Sequence, residues 1–227
     1  MRCIICNNTI RMLHTFYDYC PDCFHIQKKN SGEMEPSLKY HCKFYKENNT
    51  NNIIRLLEIN KYDNYSHFIK YFKPKNYDCY LEEINLDINI TNYKYDIIYI
   101  NDIFSFIYTP HNILQHIKTL TSEQGKIFIT TNLPNFITNL DSIDVSNRLN
   151  TKSIFNTNSM KCLCTINNLH LNNALYLPQF GKTCLFEISL YPINVNIMNV
   201  YDVLYNEILN NIYSDSTYTQ FLNLHFL

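Results

Sequence analysis

Residues 95–132 read YDIIYINDIFSFIYTPHNILQHIKTLTSEQGKIFITTN, and the order of apolar runs and breakers within them decides the fold. Asp96 to Ile103 is β-branched and aromatic, as a buried strand requires, and Thr109-Pro110 breaks the chain after it. Ile113, Leu114, Ile117 and Leu120 then recur at helical spacing, and Gly125 is expected to close that helix as its C′ residue. Lys126 to Thr131 supplies a second apolar strand. Strand, helix and strand in that order form a βαβ crossover, which builds a parallel sheet.

Upstream, Ile53 to Ile59 is a short apolar run containing Glu58, followed by Asn60-Lys61-Tyr62-Asp63 and then Tyr65, Phe68, Ile69 and Phe72 at helical spacing. Tyr77 to Leu81 reads as a further strand ending at Glu82-Glu83. Downstream, Ser159 can cap a helix carrying Met160, Leu163 and Cys164, and Gly181 is placed to turn a hairpin between Leu175 to Leu177 and Cys184 to Leu190. Val200, Val203, Leu204, Ile208 and Ile212 outline a last amphipathic helix. Cys162, Cys164 and Cys184 read as core or surface thiols.

The run Tyr95-Asp96-Ile97-Ile98, Asn101-Asp102, Pro110, a helix, Gly125 and a strand ending in Thr131-Asn132 resembles the second half of class I S-adenosylmethionine (SAM) dependent methyltransferases. The tail from Ser153 to Leu190, together with two CxxC steps at the amino terminus, is similar to the sugar C-methyltransferase branch of that family. The resemblance implies a Rossmann-like α/β domain that binds SAM. It carries Glu58 onto the acidic position of the first strand, Asn60 onto the loop after it, and Glu82 or Glu83 onto the acid that accepts from the ribose hydroxyls. It carries Asp87 onto the adenine stretch, and Asn101 and Asp102 onto the cleft at the strand ends. The chain also departs from the family. Asn60 and Asp63 stand where glycines are expected, no glycine occurs between Gly32 and Gly125, Ser105-Phe106 replaces a Glu-His pair, and Leu149-Asn150-Thr151 replaces a His-Glu-His triplet. No general base can be carried over, and His67, His111 and His116 are unplaced substitutes.

With 227 residues, 46% hydrophobic and 15% aromatic, the chain can bury one sizeable core and a small accessory module. A net charge of -1 argues against a general nucleic-acid or anionic-membrane binder and favours small-molecule or protein partners. No apolar run approaches the roughly 18 residues that cross a bilayer, so a cytoplasmic protein is expected. Asn, Ile and Tyr are abundant while Gly is scarce, a bias like that of AT-rich genomes such as those of parasites and giant DNA viruses.

Cys3-Ile4-Ile5-Cys6 and Cys20-Pro21-Asp22-Cys23 have the spacing of zinc ribbons, and four thiolates satisfy tetrahedral Zn²⁺ with no open position, so the expected site is structural. His14, His25 and His41-Cys42 are spare donors. The expected organisation is a zinc ribbon over 1–30, a linker over 31–50, a methyltransferase-like domain over 51–190 and a helical extension over 191–227. Two functions are expected to compete. One is methyl transfer to a small molecule or sugar nucleotide; the other is an inactive methyltransferase fold kept as a scaffold or partner-binding subunit.

Overall fold

The structure is a computed structural model, and it describes residues 1–12, 17–29, 40–46, 55–60, 78–84, 94–107, 109–132, 152–177 and 183–193. The crossover is as expected. Strand β7 (Tyr95–Asn101), helix α1 (Pro110–Leu120) and strand β8 (Thr121–Asn132) follow one another, and β7 and β8 pair in parallel. Strand β5 (Arg55–Asn60) lies in parallel on the other side of β7. Across these three strands Leu57, Ile98 and Ile127 are in register, as are Ile59, Ile100 and Ile129, all of them buried. They face Leu114, Ile117 and Leu120 of α1, so the helical spacing read in the sequence is the core face of the helix. Burying one such leucine or isoleucine stabilises the fold by about 1.5–3 kcal/mol.

The helix ends earlier than expected. Thr121 is extended and its hydroxyl donates to the Ile117 carbonyl at 2.8 Å, closing the last turn. Gly125 is therefore not the C′ residue. It lies in β8 at the break in register between the pairs Tyr95–Thr121 and Ile97–Lys126. A Cβ there would stand 2.8 Å from the Tyr95 carbonyl oxygen and 2.8 Å from Thr121 Cγ2, so close backbone approach requires glycine.

On one flank β8 pairs antiparallel with β11 (Thr183–Ser189), which pairs antiparallel with β10 (His170–Leu177). This is the expected hairpin, although Gly181 lies outside the described residues. The other flank differs from the expectation. Strand β4 (Tyr40–Lys46) falls inside the segment read as a linker, yet it inserts between β5 and β6 (Asp78–Ile84), antiparallel to both. Its alternation of aromatic and polar residues, YHCKFYK, was a strand signal masked by the polar stretch before it. The seven-stranded order is β10-β11-β8-β7-β5-β4-β6: an open Rossmann-like α/β sheet with a parallel centre and antiparallel flanks.

A second, four-stranded sheet is built from β1 (Arg11–Met12), β2 (Tyr17–Tyr19), β3 (Ile26–Lys28) and β9 (Ser153–Ile154). The last of these comes from far along the chain, so the cysteine module is not a separate bead. Helix α2 (Thr157–Ile166) follows β9. Its N-cap is Asn156 rather than Ser159: Asn156 Oδ1 accepts from the Ser159 N–H and Ser159 Oγ accepts from the Asn156 N–H, both at 2.9 Å, a reciprocal box. Met160, Leu163 and Cys164 of α2 join Cys3, Ile5, Cys20 and Cys23 in one continuous core with the sheet. The last helix read in the sequence lies outside the described residues.

Candidate functional site

The two CxxC steps fold alike. The Asn7 N–H donates to the Cys3 carbonyl at 3.0 Å and the Cys3 N–H to the Asn8 carbonyl at 2.8 Å; the Phe24 N–H donates to the Cys20 carbonyl and the Cys20 N–H to the His25 carbonyl, both at 2.9 Å. Each turn puts the fourth residue after its first cysteine in the left-handed region, Asn7 at φ 62° and Phe24 at φ 58°. Asparagine takes that conformation readily, whereas a phenylalanine there is strained and has to be held by its surroundings. The Phe24 carbonyl accepts from Asn156 Nδ2 at 2.7 Å, so the residue that caps α2 fixes the second turn.

These turns bring Cys3, Cys6, Cys20 and Cys23 together with every Sγ within 4.8 Å of the others. Cys3 and Cys23 are 3.6 Å apart and Cys6 and Cys20 are 3.4 Å apart. Tetrahedral Zn²⁺ with Zn–S bonds of about 2.3 Å places its sulfurs about 3.8 Å apart, so the four thiolates fit that ion. Without a cation the four thiols do not ionise together. Burial pushes the Cys20 thiol up to about 11, and the hydrogen bond to Cys3 together with burial pushes Cys23 up further, while Cys3, accepting from Cys23, is held down at about 5. Four thiolates in one buried place require a cation.

Of the spare donors, His25 is fully buried with its ring 4.9 Å from that of Phe155, and neither nitrogen has a hydrogen-bond partner. Burial holds its pKa down at about 3, so the ring is neutral. His41-Cys42 belongs to β4 of the large sheet, and His14 lies outside the described residues. His111 holds the module to α1: its Nε2 lies 2.8 Å from the Ile5 carbonyl oxygen and its Nδ1 3.0 Å from Asn167 Nδ2. A neutral ring that donates from Nε2 and accepts at Nδ1 satisfies both.

The second site is a rim on the large sheet. From β5 the chain passes to β6 on one flank and then to β7 on the other, so the strand order reverses between β5 and β7. In open α/β sheets ligands bind at such a point, beyond the carboxyl ends of the strands. There Asn60 of β5, Asn101 of β7 and Thr130 of β8 stand in one register row. Thr130 Oγ1 donates to Asn101 Oδ1 at 2.9 Å and lies 3.4 Å from the Tyr99 hydroxyl. The Asp102 N–H donates to the Thr130 carbonyl at 3.0 Å, and Asp102 sits at φ 52°, turning the chain away from β7. Asn60 Nδ2 donates to buried Glu58 Oε1 at 2.7 Å. Since a carboxylate only accepts, this bond fixes the amide, and its buried Oδ1 is left without a donor.

Glu58, Asn60, Asn101 and Asp102 therefore lie together at the carboxyl ends of β5 and β7. Glu82 and Glu83 are not beside them. They lie on β6, one strand beyond β4, so roughly 10 Å separates their strand from β5 at a spacing of about 4.8 Å per strand. Asp87, His67 and Leu149-Asn150-Thr151 lie outside the described residues. Ser105 is buried in a 3-10 turn (Phe104–Phe106) with its hydroxyl unpaired, and His116 Nε2 is likewise buried and unpaired. Sequence reasoning missed Tyr99 and Thr130; the available signal was a polar pair, Thr130-Thr131, at the end of an otherwise apolar strand.

No protein-family model matches the sequence, and no curated protein matches it. Among solved structures the chain is similar to LepI in complex with SAM (15% identity, TM-score 0.39, covering 48% of this chain and 29% of that one). It is similar to an O-methyltransferase family protein from Burkholderia thailandensis (15%, TM-score 0.38, covering 49% and 35%). A third similar structure is magnesium protoporphyrin IX methyltransferase from Synechocystis PCC 6803 with bound SAH (12%, TM-score 0.33, covering 44% and 46%). The chain thus aligns with less than half the length of each of these proteins. Among the described residues no helix is long and apolar enough to cross a membrane.

Proposed function

We propose that this protein transfers a methyl group from SAM to a small molecule or sugar nucleotide, with the cofactor lying across the carboxyl ends of β5 and β7. The observation that carries the reading is the polar row Asn60, Asn101 and Thr130 at the reversal of strand order, with a buried acceptor, Asn60 Oδ1, left unpaired. A nucleoside hydroxyl or amine is the kind of group that satisfies such an acceptor. The cofactor would be held by Glu58, Asn60, Asn101 and Asp102, and when bound it supplies an electrophilic sulfonium methyl. What the chain contributes is position. An in-line displacement draws much of its rate from alignment, so an oxygen or nitrogen acceptor can be methylated without a strong base. The cysteine module is read as a structural Zn²⁺ site, and its presence ahead of an α/β sheet supports the sugar C-methyltransferase branch as the relative.

A second reading, an inactive fold kept as a partner-binding subunit, is favoured by one observation: Asn60 and Glu58 bond to each other where a bare glycine backbone would admit the cofactor. Calorimetric titration with SAM and S-adenosylhomocysteine separates the two. Enzymatic use of the site requires saturable heat, and its absence at millimolar ligand would leave only the scaffold.

A further inference from the structure

Helix α2 lies across both cysteine turns. At its first end the N-cap Asn156 donates from Nδ2 to the Phe24 carbonyl at 2.7 Å, next to Cys23. At its other end Asn167 Nδ2 lies 3.0 Å from His111 Nδ1, and His111 Nε2 lies 2.8 Å from the carbonyl oxygen of Ile5, next to Cys6. Cys162 stands between these anchors, about 9 Å along the axis from Asn156 and about 7.5 Å from Asn167 at roughly 1.5 Å per residue. Its side chain packs on the core that contains Cys3, Cys20 and Cys23. It is a fifth cysteine beside the cluster and not one of the four whose sulfurs lie within 4.8 Å of one another. Burial pushes the Cys162 thiol up, the charges of Cys3 and Cys20 push it the same way, and a hydrogen bond with Cys23 opposes them. Cys162 is partly exposed, whereas Cys23 is buried.

We propose that Cys162 is an oxidation site coupled to the metal site: a hydroperoxide oxidises it, and the oxidised sulfur captures Cys23 as a disulfide, taking one ligand from the cluster. This rests on the reading of the cluster as a Zn²⁺ site. A ligand thiolate shares its lone pairs with the ion, whereas Cys162 is uncoordinated and partly exposed, so the oxidant meets it first. Its Sγ attacks one oxygen of hydrogen peroxide and the O–O bond breaks. The departing hydroxide takes the thiol proton and leaves as water, and Cys162 is then a sulfenic acid. Cys23 Sγ, a thiolate, attacks that sulfur; the S–O bond breaks and hydroxide leaves as the S–S bond forms. One electron from each sulfur has reduced the peroxide. The two sulfurs have only to close from hydrogen-bonding separation to about 2.05 Å. A sulfur held in a disulfide is no longer a thiolate, so the cluster keeps Cys3, Cys6 and Cys20 alone.

The test uses the full chain purified with zinc supplied and then treated with hydrogen peroxide. Released zinc is followed with a chromogenic chelator, and disulfides are located by peptide mapping with mass spectrometry. The wild type is expected to release its zinc while a cross-link between Cys23 and Cys162 appears in step, and dithiothreitol with added zinc reverses both. In Cys162→Ser release is about tenfold slower, because oxidation must then begin at a coordinated sulfur. Should serine unfold α2, Cys162→Ala removes the thiol without adding a hydroxyl and provides the same comparison. Release at the wild-type rate from the variant that folds, or a cross-link confined to Cys3, Cys6, Cys20 and Cys23, overturns the assignment while leaving the zinc reading intact. A wild type that carries less than half an equivalent of zinc before treatment overturns the zinc reading instead, and the cross-link alone then decides whether Cys162 and Cys23 pair.

Discussion

The cysteine module and the rim of the large sheet are built by opposite logics. In the module each CxxC folds its own turn through hydrogen bonds within six residues, and the two turns then meet. At the rim, groups from β5, β7 and β8 converge only because three strands share one register. A local motif survives drift in the rest of the chain. A site assembled by register can be altered by adding one strand, as β4 shows.

The largest expected effect lies on the local side. If the four cysteines hold zinc as proposed, Cys23→Ser is expected to lower bound zinc from about one equivalent to less than half, by metal analysis of protein purified with zinc supplied. Structural zinc supplies about 10 to 16 kcal/mol to small modules, so on that reading the loss is expected to unfold the cysteine module. Because Cys3, Cys20 and Cys23 share one core with α2 and the sheet, thermal unfolding of the whole chain shifts with it. A variant that loses its zinc while keeping its melting temperature would show that the two regions are independent, against the shared core.

Next comes acid. The His25 pKa is held down from 6.5 to about 3 by burial in the seam against Phe155. Below pH 6.5 the unfolded chain takes up a proton that the folded chain refuses, so the stability present above pH 6.5 is lost progressively as pH falls towards 3. The full loss is on the order of 5 kcal/mol. His25→Leu is expected to remove this component and lower the pH midpoint of unfolding relative to wild type, while carboxylates elsewhere affect both proteins equally. Identical acid-unfolding midpoints would mean that the ring is not sealed in the seam.

How much of this was legible follows the same division. The crossover, the Leu114 and Ile117 face and the four cysteines could be read because each signal lies within a few turns of chain. The strand β4 could not, since a polar approach disguised it and only pairing with β5 and β6 defines its role. That Asn60 and Asn101 end strands was legible; that β4 stands between β5 and β6 depends on sheet order, which no local pattern encodes. The docking contacts His111 to Ile5 and Asn156 to Phe24 span more than a hundred residues and leave no periodic trace.

A smaller effect is expected at Gly125, where the reading as a helix cap and the observed role in β8 predict different outcomes. A helix C′ glycine in the left-handed region is replaced by asparagine at little cost. Close approach to the Tyr95 carbonyl allows no Cβ at all, so Gly125→Ala and Gly125→Asn should both destabilise the protein, by about 1–3 kcal/mol in denaturant unfolding. Asparagine better tolerated than alanine would restore the cap.

The smallest effect sharpens the rim itself. Thr130→Val conserves shape but removes the hydroxyl that donates to Asn101 Oδ1 at 2.9 Å. The backbone bond from the Asp102 N–H to the Thr130 carbonyl persists, so the turn out of β7 is kept. Asn101 Oδ1 loses its donor, at about 1–2 kcal/mol, and the Tyr99 hydroxyl and the Asp102 N–H lose their weaker contacts to the same oxygen. If Asn101 faces a ligand, its freed amide also reorients, and S-adenosylhomocysteine should bind a few-fold more weakly to Thr130→Val than to wild type. A stability loss with unchanged affinity would make Thr130 a brace for the sheet rather than part of the site, and would confine the ligand to the β5 side, where Asn60 keeps its open acceptor.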